Sequence, residues 1–412
     1  MNAFLPADIL IPEDTYLTDW PVIACDQFTS DPDYWLRVRR RTMNVHSTMH
    51  MILPEAELGA PKEAEKILQI HRTMEAYLSH GVLRCFSNAY VYVERTLENG
   101  MVRPGLIGAV DLEQYDYSHN SVSPIRATEK TVLERIPPRQ KIRRGAALEF
   151  PHILMLCDDD RKQLIEPIRA IRDTLPKIYD LELMEGGGHI TGWLVQGAPA
   201  DAFNARVAVY AETLDEKYPD LLEAKVLFAV GDGNHSLATA KSCYEELKKA
   251  EPGRDFSNDP ARYALVELEN IHDPSLVFEP IHRIVAQTQP RALLEDLQQI
   301  CEPGGYPITW VMGQEQGTLE LKRSLGELDV AVLQNFLDLW LREHPGRIDY
   351  IHGEAEVRSL AAQEGTLGLL LRPMGKGQLF RGVISGGILP RKTFSMGHAR
   401  EKRYYLEGRK IR

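Results

Sequence analysis

Cysteine is scarce in this 412-residue chain: five are present, Cys25, Cys85, Cys157, Cys243 and Cys301, and no two form a Cys-x-x-Cys pair. An odd, scattered set opposes a disulfide framework or a structural zinc site, and leaves each thiol to act as a small buried apolar side chain. Long apolar runs are missing too. None approaches the roughly 18 residues of a membrane-spanning helix, so no membrane partner is expected. Residues 1–20, MNAFLPADILIPEDTYLTDW, are acidic and broken by proline where a signal peptide would be basic and then apolar, and a cytoplasmic location is expected. Positive charge is in deficit: 48 Lys and Arg against 59 Asp and Glu give a net charge of -11, which opposes bulk binding to nucleic acid through phosphate neutralisation. With no low-complexity tract, repeat or Gly-Ser linker, domain boundaries have to come from pattern alone.

What is there is an ordinary globular balance, 43% hydrophobic and 26% charged, with length for more than one domain. The pattern predicts a mixed α/β, α+β architecture in three parts: an N-terminal α+β domain over 1–150, a central α/β domain over 151–290 and a C-terminal α/β region with a basic tail over 291–412. Helices are expected at 63–79, 199–217 and 331–342. Strands are expected at 89–94, 105–111, 152–157, 263–268, 276–284 and 367–372, with a glycine-turn hairpin over 181–195.

The most informative stretch is 226–249, VLFAVGDGNHSLATAKSCYEELKK. Residues 226–230 read as a buried strand, and Leu237, Ala240, Tyr244 and Leu247 recur at helical spacing. The polar turn between them therefore lies at a helix N-terminus, where unpaired amides and the macrodipole favour an anion. Gly231 and Gly233 are read as turn glycines, Asn234 as the N-cap, and His235 as the first helical residue with Asp232 close enough to orient it or act as a base. Ser236 adds a hydroxyl. The other reading is that these residues are turn and capping chemistry only. The segment matches neither the Gly-Lys-Ser/Thr phosphate loop, the G-x-G-x-x-G fingerprint nor a calcium loop.

Other candidates are dispersed. Asp158, Asp159 and Asp160 at a strand end either cap the next helix or hold magnesium. His189 follows Gly186, Gly187 and Gly188 and is a second candidate acid or base, or a hydrogen-bonded structural histidine. Residues 126–144 carry seven basic and two acidic side chains, and 391–412 eight and two; each is either a contact for a phosphate-bearing ligand or a solvated or subunit face. His282 and Arg283 end an apolar stretch, while Lys392, Thr393 and Ser395 offer a point charge and hydroxyls to an oxyanion.

Taken in order, Ala24-Cys25-Asp26, the string Arg126, Ala127, Thr128, Glu129, Lys130 and Thr131, the GGGHITG segment, GDGNHS, EPIHR at 279–283 and Lys392-Thr393 resemble the bacterial and archaeal domain of unknown function 1015 family. Its hallmark is a strand, a D-G-H-H-R-like turn and a helix. Here Asn234 stands for the first histidine and Ser236 for the arginine, which suggests a variant subgroup and leaves the helix amides and the Ser236 hydroxyl to serve in place of an arginine clamp. The element is also similar, more distantly, to that of the ParB and sulfiredoxin-like superfamily, which includes free-serine kinases.

That resemblance implies phosphotransfer, or phosphatase action, on a small hydroxyl-bearing metabolite, with serine or phosphoserine foremost, and magnesium and ATP or ADP as cofactors. Asp232, His235 and His189 would be catalytic. Gly231, Gly233, Asn234, Ser236, Asp26, Arg126, Thr128, Glu129, Lys130, Thr131, His282, Arg283, Lys392 and Thr393 would contact a small anionic ligand. The alternative implied is a ParB-like regulatory module that binds a nucleotide or other ligand without catalysis.

Overall fold

The computed structural model describes residues 3–119, 121–220, 225–390 and 392–412. Contacts group into two compact units: residues 1–127, 131–276 and 398–412 in one, and 128–130 with 277–397 in the other.

The first unit contains, in chain order, β1 (Phe4–Leu5), β2 (Ala7–Pro12), β3 (Val22–Ile23), α1 (Pro32–Thr42), α2 (Glu63–Ser79), β4 (Leu83–Thr96), β5 (Val102–Asp111), β6 (Tyr115–Asp116), β7 (Ile125–Ala127), α3 (Ile136–Arg143), β8 (Leu148–Glu149), β9 (Leu154–Cys157), α4 (Glu166–Ile171), β10 (Lys177–Glu182), β11 (His189–Val195), α5 (Ala198–Lys217), β12 (Phe228–Asp232), α6 (Asn234–Ala250) and β13 (Tyr263–Asn270). Most of its strands form one mixed sheet in the order β10-β11-β4-β5-β13-β9-β12-β7-β6, with β1 on β5 and β2 on β4. The sheet explains why a boundary at 150 does not divide the chain. β4 and β5 come from before that residue and β9, β12 and β13 from after it, and all share one hydrogen-bonded surface.

Third from the β6 edge of that sheet, β12 is flanked by β9, antiparallel, and β7, parallel. Strands covered on both faces read as unbroken apolar runs, and Phe228, Ala229 and Val230 are indeed fully buried. The helices behave as their periodicity predicts: α6 buries Leu237, Ala238, Ala240 and Tyr244, while its basic residues Lys248 and Lys249 fall in the last turn, where they complement the helix dipole.

The second unit holds β14 (Phe278–Ala286), α7 (Pro290–Gln298), β15 (Cys301–Met312), β16 (Glu315–Leu321), α8 (Asp329–Glu343), β17 (Arg347–His352), α9 (Glu354–Ala361), β18 (Leu367–Leu370), α10 (Lys376–Gly386) and β19 (Phe394–Met396). Its sheet runs β16-β15-β18-β14-β17, with β19 on β14. A small core of Ile284, Val311, Val357, Ala361 and Leu370 closes against α9.

After β19 the chain rejoins the first unit. There β20 (Tyr404–Tyr405) pairs with β3 and β21 (Arg409–Lys410) with β8, so the expected C-terminal region is divided between the two units. Buried Arg95 fastens this returning segment by donating to the carbonyls of Arg400 (2.5 Å), Glu401 (3.2 Å) and Lys402, and Trp20 Nε1 donates to Leu406 O at 2.9 Å. Among the described residues no helix is long and apolar enough to cross a membrane.

Candidate functional site

Where β12 meets α6, the ladder with β9 slips: Val230 faces Met155 but Asp232 faces Leu154. Gly231 is thus the extra residue of a β-bulge, and it lies inside the strand, not in the turn as the sequence suggested. A bulge re-aims the side chain that follows, here Asp232. The turn falls to Gly233, whose φ of 79° is left-handed and whose Cβ, if it had one, would stand 3.0 Å from Ile153 Cα. Gly233 is also the N-cap. Asn234, expected there, is the first helical residue, its amide nitrogen donating to Val230 O at 3.4 Å, and His235 is the second.

Asp232 Oδ2 sits 3.0 Å from Lys402 Nζ, and Oδ1 accepts from the Gly233 N–H at 2.9 Å. Burial raises the Asp232 pKa, but Lys402, then His152 and the Gly233 amide, lower it further, so the net effect is a carboxyl below its ordinary range. It is ionised at neutral pH. His235 Nε2 accepts from the Val132 N–H at 3.1 Å, so that lone pair is engaged and the ring proton resides on Nδ1. Thr131 Oγ1 and Asn234 Oδ1 are buried without a hydrogen-bond partner, a condition that costs about 1–3 kcal/mol each unless a ligand relieves it.

A second set of side chains meets the same corner. His152 Nε2 is 3.1 Å from Ser236 Oγ and 3.9 Å from Asp26 Oδ2. On its other side Nδ1 is 2.7 Å from the Tyr405 hydroxyl, which donates to Cys25 Sγ at 3.1 Å and accepts from the Cys25 N–H at 3.1 Å. The hydroxyl proton points to sulfur, so the Nδ1–H donates to the Tyr405 oxygen and Nε2 is left to accept from Ser236. Burial, first, and Asp26 push the Cys25 thiol up to about 11, which keeps it protonated. A cavity of about 160 Å³ adjoins Ser236, His152, Cys25 and Tyr405, walled by Met51, Leu53, Met74 and Phe150 among others. Ligand pockets for drug-sized molecules run from roughly 300 Å³, so this one suits a small group.

The remaining expected residues lie elsewhere. His189 is on β11, five strands from β12 in the sheet order, or roughly 24 Å at the usual strand spacing. Its ring nitrogens bond Glu182 (2.9 Å) and Asp180 (2.6 Å). Burial pushes its pKa down, but those two carboxylates outweigh it and the net shift is upward. Arg126 is buried in β7 and donates to Ser123 O at 2.9 Å. In the second unit Glu129 Oε1 accepts from the Lys392 N–H at 3.1 Å, and Thr128 O accepts from Leu389 N–H at 2.8 Å. There the register Glu279 with Ser395 brings the EPIHR and KTFS strings together. Lys130 is the last of the three residues by which this stretch joins that unit, and the Thr393 hydroxyl donates to Pro390 O at 2.6 Å. His282 Nδ1 accepts from Leu371 N–H at 3.2 Å, and fully buried Arg283 donates to Gln334 and Ile281 and lies 4.7 Å from the Tyr350 ring; these are contacts of that unit's interior. Arg391 is outside the described residues.

Part of each basic stretch is paired with carboxylates inside the first unit. Arg139 pairs with Glu55, Arg143 with Glu149 and Arg144 with Glu246; from the tail, Arg403 pairs with Glu267, Arg409 with Glu149 and Arg412 with Glu75. The aspartate run does not cap α4, whose N-cap Ile165 has no side-chain cap; Asp159 instead accepts from the N–H groups of Gln163 (2.6 Å) and Leu164 (2.8 Å) in the turn before it, and Asp158 is paired with Lys217 and His272. Among the described residues no group of three or more His, Cys, Asp or Glu side chains is arranged to hold a metal ion. His152, Tyr405 and Lys402 were missed in sequence. His152 looks like the start of an apolar strand, and the tail's only signal was its charge.

No curated protein matches the chain. Among the solved structures that match, three are weakly similar, at levels that carry no argument. A C-terminally truncated SbnI from Staphylococcus aureus has 11% identity, coverage of 73% of this chain and 85% of that one, and a TM-score of 0.38. A free serine kinase in complex with AMP has 11% identity, coverage of 72% and 93%, and a TM-score of 0.38. A conserved hypothetical protein from Pyrococcus furiosus has 9% identity, coverage of 68% and 90%, and a TM-score of 0.33. The family model described as protein of unknown function (DUF1015) matches residues 6–372, nearly the whole length, and the chain belongs to that family.

Proposed function

We propose that the β12–α6 corner is the active site of a phosphotransfer enzyme acting on a small hydroxyl-bearing metabolite, with serine or phosphoserine as the first substrates to test and ATP or ADP as the donor or acceptor. The observation that carries this reading is the ion pair of Asp232 with Lys402 at the N-terminal end of α6. A carboxylate held ionised and a lysine stand together at the N-terminal end of α6, where the helix dipole favours an anion.

The roles follow from the chemistry of phosphoryl transfer, which asks chiefly for positioning and charge neutralisation. The positive end of the α6 dipole and Lys402 hold the phosphate, and the unpartnered Thr131 hydroxyl is a further donor. Asp232 accepts the proton of the incoming hydroxyl. His235, its Nε2 lone pair taken by the Val132 amide, orients this turn and does not act as the base.

The test is turnover. With magnesium, ATP or ADP and serine, or with phosphoserine alone, the wild-type chain should transfer phosphate, and Asp232→Asn should be slower by about 100-fold or more, the usual loss on removing a general base. Absence of transfer in the wild type across these substrates overturns the reading. Saturable nucleotide binding without turnover would instead establish a binding module.

A further inference from the structure

We infer that Ser236 is a nucleophile, activated by His152, and that transfer at this corner passes through a phosphoseryl enzyme. The inference rests on the reading of the corner as a phosphoryl site, but it is carried by a different observation: nucleophile, base and orienting group stand in line. Ser236 Oγ to His152 Nε2 is 3.1 Å, and His152 Nδ1 to the Tyr405 hydroxyl is 2.7 Å. This is the geometric signature of an activated serine, with a base in hydrogen-bond reach and a third group fixing the base's tautomer. A merely structural histidine needs one partner at each nitrogen. It does not need its accepting nitrogen turned to a half-exposed hydroxyl in the wall of a cavity.

The surrounding groups fit each part of the step. Tyr405 is anchored from both sides by Cys25, whose N–H donates to it and whose sulfur accepts from it. Its position on β20 is set by pairing with β3. Asp26 Oδ2 lies 3.9 Å from Nε2, near enough to favour the imidazolium once it forms. Lys402, 3.0 Å from Asp232 at the start of the same helix, supplies positive charge for the phosphoryl oxygens.

In the first half-reaction the Oγ–P bond forms as the bond from phosphorus to the leaving oxygen breaks. The leaving group departs as an anion, and the Oγ proton moves to His152 Nε2. In the second, the acceptor hydroxyl attacks phosphorus and gives its proton to Asp232. The Oγ–P bond breaks, and Oγ takes its proton back from His152. One proton is released to solvent from Asp232, as the conversion of an alcohol and a phosphoanhydride to a phosphate ester requires. The cavity of about 160 Å³ beside Ser236 receives the apolar part of the acceptor or leaving group.

The experiment uses a fluorophosphonate, which reports on an activated serine whatever the natural substrate. The Oγ–P bond forms, fluoride leaves, and the proton passes through His152 to solvent. The full-length chain is expected to gain one phosphonyl adduct, located at Ser236 by peptide mass analysis. His152→Gln should slow labelling by about 100-fold. Tyr405→Phe, a change at a positioning residue, should slow it less and move the midpoint of its pH profile. Ser236→Cys tests the same geometry with a different nucleophile and should be alkylated faster than the same variant carrying His152→Gln. Labelling of wild type no faster than Ser236→Ala, an adduct at another residue, or a His152→Gln chain that labels normally overturns the inference. So does phosphate transfer that persists undiminished in Ser236→Ala, a result that would leave the proposed function standing. Failure of the wild type to transfer phosphate while Ser236 still labels would overturn the proposed function and the phosphoseryl intermediate with it, and leave the His152-activated serine standing.

Discussion

Two turns in the first unit pair glycine with histidine, GGGH between β10 and β11 and GDGNH between β12 and α6, and only one of them gathers chemistry. At the hairpin, His189 bonds two carboxylates of its own strand partner, Asp180 and Glu182, and is partly solvent-exposed. At the helix start, Asp232 is met by Lys402 and Ser236 by His152, which is met in turn by Asp26 and Tyr405, all from other parts of the chain. The difference teaches that glycine beside histidine marks a tight turn. What makes the second corner the candidate site is the arrival of distant side chains that need one another.

The largest effect should separate the two by activity. Asp232→Asn or Lys402→Met is expected to lower phosphate transfer by about 100-fold or more, measured as initial rate, whereas His189→Ala should leave it within about twofold. A rate loss at His189 equal to that at Asp232 would erase the distinction.

Glycine substitutions then test stability against function. Alanine at 188 would collide with the Thr96 carbonyl and at 233 would meet Ile153 Cα at 3.0 Å, both at left-handed φ. The backbone strain alone is about 1–2 kcal/mol. Gly188→Ala, which forces backbone to move, should have the lower urea midpoint of the two, yet Gly233→Ala should show the greater loss of transfer in molecules that remain folded.

The smallest effect is in pH dependence, where the two turns have opposite signs. Asp232 has a depressed folded pKa, so its contribution to stability is present above about pH 4 and fades as pH falls through the folded value. His189 has a raised folded pKa, so its contribution is full below about pH 6.5 and fades as pH rises through the folded value. For His189, exposed as it is, the amount is at most about 0.5 kcal/mol. Denaturation series from about pH 2 to 9 with Asp232→Asn and His189→Ala should show wild-type-minus-variant differences of opposite trend, the Asp232 difference shrinking as pH falls below about 4 and the His189 difference shrinking as pH rises above about 6.5. Parallel curves would contradict the assignment.

Local periodicity made much of the fold legible. The helix over 63–79 and that over 198–217 were readable from spacing, and the buried strand before GDGN was off by two residues because its apolar side chains begin before its ladder does. The 181–195 hairpin formed as its glycine turn predicts. The bulge at Gly231 was hidden because a glycine after an apolar run signals a turn equally well. Charge could be counted but not partnered. Arg139 and Arg143 look like an anion patch until Glu55 and Glu149 arrive from other elements. Tyr405 is 253 residues from His152 and 380 from Cys25, and no periodic pattern links positions so far apart.

The returning segment at 398–412 has a consequence for how the protein is made. Translation delivers β3, β9, β12 and the start of α6 long before it delivers Lys402 and Tyr405, and domains begin to fold while still being synthesised. A nascent chain can therefore hold most of its large sheet while Asp232 has no cation beside it and His152 no tyrosine to fix its ring. Competence would be conferred late, by a strap of a few residues closing over a framework already in place.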